Sequence, residues 1–178
     1  MLEIRKAAER DKPEIWEIIK SVIATGDTYA FPADSGEEEM LAYWFSPDKY
    51  TYVAVWLEAP KQAGILSDEL HNKGGKIVGT FFVKANQPGL GAHVSNAGYM
   101  VAPDSKGMRV GRTMAEYSLD EARRLGFQSM QFNFVVKSNE VAVRLWQNLG
   151  FEIIGEIPEA FNHARDGLTN AYIMYRKL

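Results

Sequence analysis

Cysteine is missing from all 178 residues of this chain. Its absence excludes disulfides, thiolate metal sites and a cysteine nucleophile, and it leaves the redox compartment open. No metal ion is expected. No run of about 18 apolar residues occurs, and the N-terminal "MLEIRKAAERDKPEIW" has no apolar segment of the kind that directs secretion. A soluble, cytoplasmic protein without a membrane partner is the expectation. A strong excess of one charge is missing too: 20 basic residues face 23 acidic ones, a net charge of -3. That slight acidity argues against nucleic acid or an anionic membrane as the main partner. Repeats, low-complexity tracts and linkers are also absent, and the length suits one domain, residues 1–178, with a sizeable core.

What remains is a chain of clear local patterns. "LEIRKA" alternates as a strand does. "ERDKPEIWEIIKSVIATG" reads as a helix with Asp11 as N-cap, Pro13 in its first turn, Ile15, Ile18, Ile19 and Val22 at helical spacing, and Gly26 to end it. "DTYAFPAD" is an aromatic loop, and "SGEEEMLAYWFS" a short helix opened by Ser35 with acidic residues in its first turn. "YTYVAVWLE", "KIVGTFFVKANQ" and "HVSNAGYMVAP" are strands two to four. Between the first two of these, "APKQAGILSDELHNKGG" reads as a mobile surface insertion. A helix from about Arg109 to Leu125 follows, then strand five "QSMQFNFVV", helix "SNEVAVRLWQNLG", strand six "FEIIGEIP" and a last strand "TNAYIMYRKL". The order β-α-α-β-β-β-α-β-α-β-β predicts one mixed α/β domain.

The stretch "VAPDSKGMRVGRTMAEYSLDEARRLGF", Val101 to Phe127, carries the first chemistry. Pro103 stops a strand because it cannot donate to the ladder. The chain then turns through two glycines into a helix whose first N–H groups lack partners, and such a terminus attracts anions. Lys106, Arg109 and Arg112 add three cations within seven residues, suited to phosphate oxygens. Behind them, Gly111, Ala115, Ser118, Ala122 and Leu125 form a small-residue face that can lie close on a sheet. Solvated cations on an ordinary strand-turn-helix are the plain alternative. A P-loop is rejected, since "GMRVGRT" has three residues between its glycines instead of four and continues Arg-Thr; a dinucleotide fingerprint is rejected because the glycines fall far from the first strand.

This stretch resembles motif A of the GCN5-related N-acetyltransferases (GNAT), Arg/Gln-x-x-Gly-x-Gly/Ala. Lys106 stands where Arg or Gln is usual, Arg109 takes the first glycine, and Gly111 matches the last. An arginine at 109 can still donate its backbone N–H to pyrophosphate if its dihedrals are ordinary, or swing its side chain onto a phosphate. "NEVAVRLWQNLGFE" resembles motif B through Asn139, Ala142, Leu145, Gly150 and Phe151. Within the family, "GDTYAFP", "NAGYMV" and "GFEIIGEIPEAF" are similar to a subgroup that includes a yeast enzyme acetylating azetidine-2-carboxylate and other proline-like amines.

The resemblance implies a mixed, mostly antiparallel sheet, splayed between strands four and five and flanked by helices, with acetyl-CoA as co-substrate. Pantetheine would pair with the backbone of Tyr99, Met100 and Val101, and Met100 is read as the N–H that polarises the thioester carbonyl and stabilises its oxyanion. The pyrophosphate would fall on Lys106, Gly107, Met108, Arg109, Val110, Gly111, Arg112 and Thr113. Asn139 would bond the cofactor, serve as an N-cap, or do both. Motif B usually carries a tyrosine able to protonate the departing thiolate, and here it is Trp146, whose plain role is core packing. A thiol of pKa near 8.5 leaving as thiolate at pH 7 forfeits roughly 2 kcal/mol at most, so catalysis survives.

The acceptor is expected to be a small amine, an amino acid or an analogue of one, attacking directly in a ternary complex. No carboxylate presents itself as its base, and His71, His93 and His163 read as surface residues. Asn96 and Asn133, amides in otherwise apolar strands, either satisfy a backbone break at the splay or face the acceptor and orient it. Tyr29 and Phe31 would complete the pocket or form a lid over the core, with Tyr172 or Tyr175 as lesser contributors. A protein acetyltransferase and a non-catalytic coenzyme A-binding module are the alternatives. A homodimer is expected from the family alone.

Overall fold

The computed structural model describes residues 1–57 and 75–178; the insertion expected at residues 59–75 lies, except for Gly75, outside them. Among the described residues, seven strands and four longer helices follow the expected order: β1 (Leu2–Lys6), α1 (Lys12–Ile23), α2 (Glu37–Trp44), β2 (Lys49–Trp56), β3 (Lys76–Ala85), β4 (Val94–Val101), α3 (Val110–Arg124), β5 (Ser129–Val136), α4 (Glu140–Asn148), β6 (Glu152–His163) and β7 (Gly167–Lys177). The strands form one sheet in the order β1-β2-β3-β4-β5-β7-β6. Among the described strands, β4 and β5 pair in parallel and the other neighbours antiparallel.

The alternation of side chains along β2 and β3 sends apolar residues to both faces, so two cores form. Tyr52, Phe81 and Val83 meet Met114 and Ala115 of α3 and Trp146 of α4 on one face. Val53 and Phe82 meet Ile15 and Ile19 of α1 and Met40 and Trp44 of α2 on the other. A glycine lets α3 settle: a Cβ at Gly79 would stand 2.9 Å from Met114 and 3.1 Å from Val110. Ala115, Ser118 and Ala122 are buried beneath it, as the small-residue face predicts.

Three local expectations need correction. Asp11 precedes α1 without capping it; its carboxylate takes the Arg5 guanidinium at 2.7 and 2.8 Å and the Ala8 N–H at 2.7 Å. Charged partners outcompete the helix's own N–H groups. Ser35 does not open α2 either, because Gly36 holds the N-cap position and Ser35 Oγ is buried with no partner among the described residues. Strand six was expected to stop at Pro158, yet β6 runs on to His163. The proline and Glu159 (φ 49°) fit a shift of register between Ile157 and Phe161, which an edge strand tolerates.

Glu121 ties α3 to the sheet. It is buried, accepts the Tyr52 hydroxyl, and takes Arg124 Nε at 2.7 Å. The Arg124 guanidinium holds its carboxyl below the usual range against the opposing effect of burial, helped by Tyr52. A depressed folded-state pKa stabilises the fold above the unfolded value, near 4.3, and that contribution fades as pH falls through the lowered one. Glu121→Gln is therefore expected to cost about 1–2 kcal/mol at pH 7. In denaturant titrations the gap from the parent protein should close below about pH 4.

Candidate active site

Parallel pairing of β4 with β5 is confined to Val94–Ser129 and Ser95–Met130, although the strands continue to Val101 and Val136. Beyond those pairs they diverge into a wedge. Peptide groups along a strand point alternately to its two sides. The Ala102 N–H donates to the Val78 carbonyl at 2.9 Å. That parity turns Met100, opposite Thr80, toward β3 and leaves Ala97, Tyr99 and Val101 facing the wedge. Met100 is thereby corrected as the oxyanion donor: its N–H belongs to the β3 side, and its side chain is buried toward α1. The Tyr99 N–H points into the wedge instead. The Tyr99 N–H donates to Tyr29 Oη at 2.8 Å, and the same hydroxyl donates to the Tyr99 carbonyl at 2.9 Å. Burial pushes both tyrosine hydroxyls above their ordinary range.

At the wedge mouth, Pro103–Ser105 makes a single 3-10 turn, and Lys106, Gly107, Met108 and Arg109 lead exposed into α3. Gly107 has φ +82°. Arg109 stands at φ 61°, ψ 9°, the left-handed conformation, so the proviso of ordinary dihedrals fails. The position keeps a glycine's geometry while carrying an arginine, at a strain of roughly 1–2 kcal/mol. Arg109→Gly is expected to raise thermal stability by a few degrees in calorimetry. Val110 is buried and fixes the helix start, while Gly111 lies beside Val101. Arg112 pairs with Glu116 at 2.8 Å, and Thr113 Oγ1 donates to the Arg109 carbonyl at 3.2 Å. Tyr99 Oη and Ser118 Oγ, 2.6 Å apart, tie α3 to β4.

Across the wedge, Asn139 caps α4 by accepting the Ala142 N–H at 3.2 Å. Trp146 packs in the core, its ring 4.5 Å from Phe132 and 5.0 Å from Tyr99. Tyr172 lies beside Lys137 near α4.

The face toward α1 and α2 gathers the amides. Asn96 Nδ2 donates to the Gln131 carbonyl at 2.8 Å, immediately after the last ladder pair. Asn96 thus bridges the backbone break where the strands part. Gln131 Nε2 donates to Asn133 Oδ1 at 2.9 Å, and Asn133 Nδ2 to Asn86 Oδ1 at 2.6 Å. Asn133 is exposed, so the expectation of a buried amide fails there. Tyr29 and Phe31 stack at 5.8 Å and 11°, and Phe31 meets Tyr43 edge-on at 5.0 Å, making an aromatic roof. In the row of β2, β3 and β4 that ends on Asn96 stand Lys49 and Lys84, the latter 3.1 Å from Asp48. Lys49 lies over the Tyr43 ring, and burial brings its ammonium down to about 8 despite Asp48.

Sequence reasoning missed Tyr43, Lys49, Lys84, Asn86 and Gln131. Lys84 lies two residues from Phe82 on one strand, a signal for the shared face; nothing local points to the others. His93 is exposed as expected, whereas His163 is buried, its Nδ1 accepting the Arg165 and Asp166 N–H groups at 3.3 and 3.1 Å. His71 lies outside the described residues. Among the described residues no group of three or more histidines and carboxylates could hold a metal, and no helix is long and apolar enough to cross a membrane.

A wedge-split sheet with a helix N-terminus at its mouth is the architecture of the GCN5-related N-acetyltransferases anticipated above. The model of the acetyltransferase (GNAT) family matches residues 27–151, and the chain belongs to that family. A GCN5-related N-acetyltransferase from Kribbella flavida is 37% identical with a TM-score of 0.85, over 99% of this chain and 98% of that one. The N-acetyltransferase aca1 of Schizosaccharomyces pombe is 37% identical over 98 residues, 54% of this chain and 47% of that protein, so the match spans about half its length. A phosphinothricin acetyltransferase from Sinorhizobium meliloti, solved in complex with AcCoA, shares the fold at 18% identity and TM-score 0.79, covering 99% of this chain and 88% of its own.

Proposed function

We propose that the protein transfers the acetyl group of acetyl-CoA to the amine of a small, amino-acid-like molecule by direct attack in a ternary complex. The observation that carries this reading is the wedge, because its β4 edge offers peptide groups to a strand-like ligand and opens onto the amide face. Pantetheine would pair along Ala97, Tyr99 and Val101, and the loop from Lys106 to Thr113 would take the pyrophosphate. The Tyr99 N–H, facing the wedge, would polarise the thioester carbonyl and hold the developing oxyanion.

The acceptor would enter beneath Tyr29 and Phe31. Asn96 and Asn133 would orient it, and Lys49 and Lys84 supply positive charge suited to a carboxylate. The amine must lose its proton before it attacks. A peptide α-amino group of pKa near 8 is about a tenth neutral at pH 7, whereas an amine of pKa near 10 gives up about 4 kcal/mol to deprotonate. An acceptor of high pKa therefore needs a base or a desolvated, hydrogen-bonding site in addition to positioning beside the thioester. Attack forms the C–N bond and a tetrahedral intermediate. As its carbonyl re-forms the C–S bond breaks, the nitrogen gives its extra proton to solvent, and solvent can protonate a thiolate that Trp146 cannot.

Thiol release from acetyl-CoA with a panel of amino acids and their analogues tests the reading. Turnover with at least one of them, absent without protein, is expected. Cofactor binding without turnover on any amine would instead indicate a non-catalytic module, and acetylation of peptides alone would indicate a protein acetyltransferase.

A further inference from the structure

A backbone N–H has one hydrogen to give, and that of Tyr99 is given to Tyr29 Oη at 2.8 Å. The hydroxyl is satisfied on its other side by the carbonyl of the same residue. It therefore stands at the wedge edge as a single-atom substitute for a neighbouring strand. It reaches that edge because residue 98 is glycine: a Cβ there would lie 3.2 Å from Tyr29 Oη and 2.8 Å from the Phe82 ring. Tyr29 belongs to the segment between α1 and α2, outside both helices, and its ring stacks on Phe31 in the acceptor roof.

On the reading that the wedge is the thioester slot, we infer that the Tyr29 hydroxyl and the thioester carbonyl compete for the Tyr99 N–H. The arriving acetyl group displaces Tyr29, and the stacked Phe31 moves with it. Tyr29 is then a positioning residue that couples cofactor loading to the shape of the acceptor roof. The pocket takes its working form only after acetyl-CoA is seated. Coenzyme A without its acetyl group has no carbonyl at that point and leaves Tyr29 where it is.

Calorimetric titration of the parent protein and Tyr29→Phe with acetyl-CoA and with coenzyme A separates the possibilities. Removing the competing hydroxyl is expected to tighten acetyl-CoA binding about tenfold, while binding of coenzyme A stays within about twofold. Equal effects on both ligands, no effect, or weaker acetyl-CoA binding would overturn the competition and leave the slot intact. Failure of the parent protein to bind either ligand would overturn the slot itself, and the inference with it. A fluorotyrosine at position 29 of the otherwise unaltered chain gives a readout that needs no loss of the hydroxyl. Its fluorine resonance is expected to move with acetyl-CoA and not with coenzyme A; a resonance indifferent to acetyl-CoA overturns the inference.

Discussion

Lys106→Glu combined with Arg112→Glu is expected to weaken coenzyme A binding by about a hundredfold while leaving the melting temperature within a few degrees. Both side chains are exposed at the entry to α3, so neither supports the core. Each charge-assisted bond to a phosphate contributes about 1.5–3 kcal/mol, and two of them correspond to a hundredfold or more. The Arg112 change also sets two carboxylates four residues apart with Glu116, a cost of only about 0.3–0.5 kcal/mol. The lost affinity is expected to shrink as salt is raised, because exposed charges are screened. Calorimetry at low and high ionic strength reads both effects. Unchanged affinity in the double variant would remove the phosphate from this loop.

The second large effect concerns stability. Phe132 is buried on β5 just past the wedge apex, with its ring 4.6 Å from Phe151, 4.5 Å from Trp146 and 6.1 Å from Tyr99. Truncation leaves a cavity that β5, held on one side only by β7, closes poorly. Phe132→Ala is expected to cost about 3–5 kcal/mol, a fall in melting temperature of roughly 10 °C for a chain of this size. Because Phe132 braces one wall of the wedge, coenzyme A affinity is expected to fall as well. A variant that melts within two or three degrees of the parent protein would show that β5 is anchored elsewhere.

Sequence periodicity and turn chemistry reached far into this fold. The seven strands and four longer helices of the described residues were legible in order, because apolar alternation and helical spacing are local properties. Motif A located the turn ahead of α3, where Gly107 stands at positive φ. The boundaries that went astray depended on distant partners: Asp11 was drawn from its cap by Arg5, and β6 was carried past Pro158 by pairing with β7. At the candidate site, Tyr29, Phe31 and Asn96 were singled out from the chain alone. The bond from Asn96 to the Gln131 carbonyl was anticipated only as one of two alternatives.

The sequence by itself determined the element order, the loop of cations ahead of α3, and the family to which the chain belongs, since each depends on spacing within a few dozen residues. Only the tertiary structure decided which peptide groups face the wedge. That depends on the register of β4 against β3, which turns Met100 inward and presents Tyr99. It also decided that Tyr29, 70 residues away, closes on that N–H. Hydrogen-bond partners of such separation have no signature in a local pattern, because the geometry that joins them exists only once the strands have paired.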